Sequence, residues 1–246
     1  MPPLLNLILD IDETLIHCTD KETWNDLSDS DKLKYKFFET SEVVFVIRPH
    51  LKEFLDFAFE NCRVSLWTFS DDAYARLVAK NIVLPGRTNA KLVNIFSEEV
   101  GSDEAADMHG NNKDLNYLWY DLCVPHHSEC NTILVDDNHK NGLNPSNRRN
   151  TITIPPFKFD RNSYKDDALL HVMTIMKRVM ASIGECYKGD ERWDSVFNTA
   201  NIAAYGLEDY VQYLTFKETR VPAIVASKKT MTGGRRKVKS AAAKKH

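Results

Sequence analysis

Several things are missing from this chain of 246 residues, and each absence excludes a class of protein. Its five cysteines, at 18, 62, 123, 130 and 186, are scattered and odd in number. They outline no disulfide framework, so a reducing intracellular compartment, cytoplasmic or nuclear, is expected. No apolar run approaches the roughly 20 residues that cross a bilayer, and no membrane partner is expected. The N-terminal apolar stretch is interrupted at Asn6 and runs into acids, unlike a secretory leader. There is no internal repeat to imply a solenoid. Acid is absent from the last stretch: from Ser227 onward there are eight Lys or Arg and no Asp or Glu, whereas residues 1–226 hold 24 basic and 35 acidic side chains, a charge of −11. An acidic body excludes a nucleic-acid-binding surface overall. The tail can serve nuclear targeting, an acidic or nucleic-acid partner, or solubility alone. What remains, 43% hydrophobic and 27% charged residues, is the composition of an ordinary soluble globule. The sequence fixes no oligomeric state.

The stretch that organises the chain is Asn6-Leu7-Ile8-Leu9-Asp10-Ile11-Asp12-Glu13-Thr14-Leu15. Leu4 to Leu9 read as a strand buried on both faces, ending in two aspartates spaced i and i+2. On extended backbone that spacing points both carboxylates to one side. Two acids at a buried strand end are costly by desolvation and repulsion, so a cation or a shared proton is expected. A polar strand-to-loop turn is the plainer alternative.

Downstream, a polar segment from His17 to Asp31 leads to a hairpin, Lys34–Phe38 and Val43–Ile47 about a turn at Thr40-Ser41, which can overhang the strand end as a lid. Arg48-Pro49-His50 opens a helix with Leu51, Phe54, Leu55, Ala58 and Phe59 at helical spacing. Arg63 to Thr68 is a second buried strand, followed by a helix from Asp71 to Ile82. Residues 84–112 form an irregular insert with short strands near Leu92–Phe96. Lys113 begins another helix. Asn131-Thr132-Ile133-Leu134-Val135-Asp136-Asp137 then repeats the opening pattern, a short apolar strand tipped by paired acids. A further strand runs from Thr151 to Ile154, and helices are expected over 163–183 and about 190–214. Beyond Arg220 there is no apolar face to bury, and disorder is expected. Strand and helix alternate as in an α/β fold with a parallel sheet, whose ligands lie beyond the carboxyl ends of the strands. The expected division is an α/β domain over 1–186, with its insert at about 84–112, a helical extension over 187–219 and a basic tail over 220–246.

Asp10, Asp12, Asp136 and Asp137 thus meet at one end of the sheet. All-oxygen donors with no His or Cys point to a hard divalent cation, most simply Mg²⁺. Thr68 adds a hydroxyl and strand-end amides, and Lys113 a point charge. Together they fit phosphoryl transfer, in which positioning and charge neutralisation supply most of the catalysis.

Asp10-Ile11-Asp12-Glu13-Thr14, Thr68, Lys113 and Asp136-Asp137 resemble the four motifs of the haloacid dehalogenase superfamily. Leu9 to His17, Arg48-Pro49-His50 with Glu53-Phe54-Leu55, Trp67-Thr68-Phe69-Ser70 and Val135 to Asn138 resemble, more closely, the RNA polymerase II C-terminal-domain phosphatases, or NLI-interacting-factor-like family. The resemblance covers about residues 4 to 180. It implies a Rossmann-like α/β fold and a Mg²⁺-dependent phosphatase, with phosphoserine or phosphothreonine of a phosphoprotein or phosphopeptide as substrate. Asp10 is then the nucleophile that becomes an aspartyl-phosphate, and Asp12 the general acid and later the base. Asp10, the backbone carbonyl of Asp12 and Asp137 hold the metal, with Asp136 in support. Thr68 and Lys113 hold the phosphoryl oxygens, and Thr14 beside them orients the nucleophile's loop. The segment His17–Glu42 and the insert depart from the family pattern where substrate identity is set. A small phosphomonoester, a nucleic-acid terminal phosphate, or non-catalytic binding on the same fold are the alternatives.

Two other features compete with this reading. Cys123, His126, His127 and Cys130 have a zinc-like composition, but four ligands in eight residues are tight for tetrahedral closure, and a connecting loop is expected. Lys91 competes with Lys113 as the phosphate lysine and is expected at the surface instead.

Overall fold

The computed structural model describes residues 5–98 and 113–189 apart from 130, 145, 148, 149 and 161, with side chains to Ala181. The expected helix over 190–214, the basic tail and residues 99–112 of the insert lie outside the described residues.

Five short strands form a parallel sheet. β1 (Leu5–Leu9) is central, with β5 (Cys62–Trp67) and β6 (Ile95–Phe96) on one side and β7 (Thr132–Asp136) and β8 (Thr151–Thr153) on the other. Leu7 is in register with Val64 and with Ile133. Every residue of β1 and β7 is buried, which is why both read as largely apolar runs, with Asn6 and Thr132 among the buried polar exceptions.

Side-chain alternation divides the core into two layers. Leu7, Leu9, Val64, Leu66, Ile133 and Val135 face one layer, packed by α3 (Leu51–Asn61), α4 (Asp72–Val78) and α6 (Ala168–Gly189). Ile8, Trp67 and Leu134 face the other, where Leu115, Leu118 and Trp119 cover them. α3 turns Leu51, Phe54, Leu55 and Ala58 inward, the stripe its spacing predicts. Asp71 caps α4 by accepting the Tyr74 N–H at 2.7 Å, and the helix ends in a π-type turn, Ala79–Val83.

Some expectations need correction. The segment after His17 is not an irregular polar stretch. It contains β2 (Ile16–Asp20), α1 (Lys21–Asn25) and α2 (Asp29–Lys32), the two helices capped by Asp20 and Ser28. The hairpin is present as β3 (Lys36–Glu39) and β4 (Val43–Ile47), but β2 joins it in a three-stranded antiparallel sheet of order β2-β4-β3. Mixed polarity hid β2, since only its inner positions, Ile16 and Thr19, are buried. This small sheet has its own core of Trp24, Tyr35, Val44, Val46 and Phe157. The helix expected from Ser163 is interrupted: a 3₁₀ turn spans Ser163–Lys165, and α6 begins at Ala168, whose N–H donates to Asp166. Lys113 itself precedes the helical turns, which reach a π-type segment at Tyr117–Asp121. No described helix is long and apolar enough to cross a membrane.

One buried side chain ties these parts together. Arg48, 1% exposed, makes a bidentate pair with Asp166 at 2.9 and 3.1 Å and donates to the carbonyls of Glu13, Thr14 and Pro155. It joins the loop after β1 to the segment ahead of α6. Removing one partner of a buried ion pair strands the other charge, so Arg48→Ala should cost about 3–5 kcal/mol. Urea unfolding checks this, and a loss below about 1 kcal/mol, the size of an exposed pair, would rule out the staple.

Candidate active site

The carboxyl ends of β1, β5 and β7 converge, as parallel strands on one sheet must, and the side chains just past them form the site. Asp10 follows β1, with its N–H on the Val135 carbonyl at 3.0 Å. The loop beyond it turns sharply: Glu13 sits at φ 58° and its N–H bonds the Ile16 carbonyl at 2.8 Å. Arg48 holds this turn by two of its carbonyls.

Lys113 is 1% exposed and is the pivot of the cluster. Its ammonium pairs with Asp10 and, at 2.9 Å, with Asp136. Burial works to lower its pKa, but the two carboxylates outweigh it and hold the ammonium above its usual value. Asp137 completes a trio with Asp10 and Asp136 whose ligand oxygens lie within 4.8 Å of one another. Burial pushes Asp10 up to about 7, against the pull of Lys113 and with a further push from Asp136. Burial and Asp136 raise half-buried Asp137 to about 6. One lysine therefore does not neutralise three crowded acids, and the all-oxygen donor set is the kind that takes a hard divalent cation.

Asp12 lies in a different environment. Its carboxylate accepts from the Tyr74 hydroxyl on one oxygen, and on the other from Thr68 at 3.3 Å and Ser70 at 3.4 Å. All three donors are neutral hydroxyls. Burial and Asp12 raise the Tyr74 phenol well above its usual value, so it stays a donor.

The structure brings Asp10, Asp12, Thr68, Lys113, Asp136 and Asp137 to one place. Thr14 is fully buried and linked to Asp137 both ways: its hydroxyl donates to the Asp137 carboxylate at 3.4 Å and accepts the Asp137 N–H at 3.1 Å. It thus fastens the loop after β1 to the loop after β7. Lys91 is exposed and stands apart from the cluster. Cys130 is outside the described residues, and His127 packs edge-on to Phe96 with its ring bonded to the Pro125 carbonyl at 3.0 Å.

Sequence reasoning missed Tyr74, Ser70, Asn141 and Asn147. Asn141 accepts the Lys113 N–H at 3.0 Å and donates to Asp136 at 3.0 Å. Asn147 accepts the Leu115 N–H at 2.8 Å and donates to the Lys113 carbonyl. The two amides hold Lys113 in position where no helix does. The run His139-Lys140-Asn141-Gly142-Leu143, here the short helix α5 (His139–Leu143), gave one signal. A Cβ at Gly142 would collide with the Thr153 hydroxyl, so glycine lets α5 lie against β8. Tyr74 had a weaker one, six residues after Thr68 on the first turn of a capped helix.

The sequence profile of the NLI interacting factor-like phosphatases matches residues 5–186. The chain belongs to that family. A CTD phosphatase-like protein, 355R of invertebrate iridescent virus 6, is 28% identical over 187 residues, covering 70% of this chain and 97% of the viral protein. Its counterpart in invertebrate iridescent virus 3 is 32% identical over 181 residues, covering 70% and 94%. Among solved structures, fission yeast Fcp1, an RNA polymerase II CTD phosphatase, bound to beryllium fluoride aligns at a TM-score of 0.47 with 18% identity, over 88% of this chain and 67% of that one.

The amides around the lysine make one expectation specific. Asn141→Asp keeps the acceptor for the Lys113 N–H but sets a fourth carboxylate against Asp136. Stability should fall by about 3 kcal/mol, the scale for a buried charge left without its donor. Thermal or urea unfolding reads this, and an unchanged midpoint would show that Asp136 does not depend on the Asn141 donor.

Proposed function

We propose that this chain is a Mg²⁺-dependent phosphatase of protein phosphoserine or phosphothreonine, such as an RNA polymerase II C-terminal-domain-like peptide, working through an aspartyl-phosphate on Asp10. The observation that carries the reading is the contrast between two aspartates two residues apart. Asp10 is bound to an ammonium and crowded by acids that a cation would neutralise, whereas Asp12 is bound only by neutral hydroxyls. The first environment suits a nucleophile and the second an acid that must give up and recover a proton.

The residues present fit the metal. Asp10, Asp137 and the backbone carbonyl of Asp12 would hold Mg²⁺, with Asp136 occupied by Lys113, Asn141 and the Asn138 N–H in support. When bound, the ion would neutralise charge on the phosphoryl oxygens and keep Asp10 ionised.

Asp10 attacks phosphorus, and the serine or threonine oxygen departs taking a proton from Asp12. The phosphoryl group is then on Asp10. Asp12, now a carboxylate, takes a proton from the attacking water, the acyl-phosphate P–O bond breaks and inorganic phosphate leaves. Thr68 and Lys113 hold the phosphoryl oxygens throughout. Membership of a family whose viral members are described as CTD phosphatase-like supports the protein substrate.

Activity on a phosphoserine peptide should be lost with chelator and return with Mg²⁺; full turnover in excess EDTA after prior metal removal would refute the metal. Asp137→Ala should raise the Mg²⁺ needed, whereas Lys113→Ala should lower turnover even at saturating Mg²⁺. Asp12→Asn should slow the peptide ~10²–10⁴-fold, the usual worth of a general acid. On an activated aryl phosphate, which needs no leaving-group proton, it should release a burst of aryl alcohol and keep phosphate on Asp10. Asp10→Asn should show neither burst nor label. Mass spectrometry of the trapped protein checks the site, and label on a Ser, His or Cys would overturn the mechanism. A much higher rate on phosphorylated oligonucleotides than on phosphopeptides would reassign the substrate.

A further inference from the structure

A side chain that gives up and recovers a proton must stay aimed through both steps, and the contacts of the Asp12 carboxylate bear on this. Of the three hydroxyls on its carboxylate, Thr68 and Ser70 share Oδ2 at 3.3 and 3.4 Å, and the Tyr74 hydroxyl alone holds Oδ1. The Thr68 oxygen already accepts the Ser70 N–H at 3.0 Å, so its single proton serves Asp12 here. That proton cannot serve a phosphoryl oxygen as well. Once substrate takes the Thr68 hydroxyl, Oδ2 loses a donor and is open to the leaving oxygen, while Oδ1 keeps its own.

Tyr74 is built to stay. It lies in the first turn of α4, its N–H bonded to the Asp71 carboxylate at 2.7 Å, and its ring packs against Phe45 of β4 with centroids 5.9 Å apart. The sheet inserted after β1 therefore braces the residue that grips Asp12. We propose that Tyr74 is the positioning residue of Asp12, holding Oδ1 through both chemical steps so that Oδ2 exchanges the proton. This rests on the phosphatase reading above.

Tyr74→Phe removes one O–H and keeps the ring against Phe45. With Mg²⁺ and a phosphoserine peptide, kcat should fall about 10²-fold, the usual result of a small misplacement of a reacting group. KM should stay within about twofold, because the lost interaction acts in the transition state and not in binding. On an activated aryl phosphate the variant should show a burst of aryl alcohol followed by slow turnover, because only the first step can do without the acid. Ser70→Ala, which strips one of two donors from Oδ2, should lower the peptide kcat by less than about tenfold. In an Asp12→Asn background Tyr74→Phe should have no further effect, since both changes act through one group. The inference is overturned by an unchanged kcat, by a rise in KM alone, by a larger loss from Ser70→Ala, or by an effect that persists in full beside Asp12→Asn. If the wild-type protein itself forms no aspartyl-phosphate, the reaction assigned above fails and this inference with it.

Discussion

Three buried or half-buried carboxylates gathered on one ammonium are the constraint around which this protein is built. Lys113 contacts Asp10 and Asp136 at once, and Asp137 lies in the same cluster. Such a group is poor material for stability, because desolvation of each charge costs several kcal/mol before any attraction is counted. Its presence at the end of a sheet explains why so much of the surrounding chain is devoted to backbone fixation. Asn141 and Asn147 clamp the backbone of residues 113–115, Thr14 clamps Asp137, and Arg48 clamps Glu13 and Thr14. None of these contacts need touch a substrate. They keep like charges close together, and the Coulomb repulsion that results favours a cation among them.

Arg48 shows how the inserted sheet is made part of the domain. β4 ends at Ile47, so the next residue enters the core at the point where the inserted sheet hands over to α3. Its guanidinium can reach the motif loop, Pro155 and Asp166 together because a planar fork offers several donors in fixed directions. The three donors of a lysine leave one nitrogen and could not reach partners spread this far apart. Asp166 in turn accepts the Ala168 N–H at the start of α6, so one charge pair sets both the loop after β1 and the entry of the last described helix.

Much of this was legible from residue order. Leu5–Leu9 and Thr132–Asp136 could be read because a central parallel strand is apolar on both faces, and each ends in acids that the parallel topology must bring together. The stripe of α3 and the pair β3–β4 were legible for the same reason, a simple period. β2 was not, because only Ile16 and Thr19 of this edge strand are buried and its remaining polar residues look like loop. The break before α6 was hidden too: Asp166 and Asp167 fit a helix by period alone, and only the tertiary pair with Arg48 turns Asp166 into a cap. Tyr74, Ser70, Asn141 and Asn147 escaped because their function is to hydrogen-bond residues far off in sequence, and ordinary polar side chains on helices and loops carry no periodic mark of such a partner.

The same physics separates the two aspartates of the opening motif more firmly than their spacing does. Residues i and i+2 on extended backbone share a side, which by itself predicts two equivalent, mutually repelling acids. The sharp turn just after Asp12, with Glu13 at positive φ and its carbonyl held by Arg48, fixes the loop that carries both acids. Asp10 stays with the sheet and its lysine; Asp12 swings toward the end of β5 and the hydroxyls of Thr68, Ser70 and Tyr74. The two acids therefore stand in different surroundings, one paired with an ammonium and crowded by further acids, the other hydrogen-bonded by neutral hydroxyls. It follows that a substitution relaxing the turn at Glu13 would disturb the placement of both acids even with each of their hydrogen-bonding partners intact.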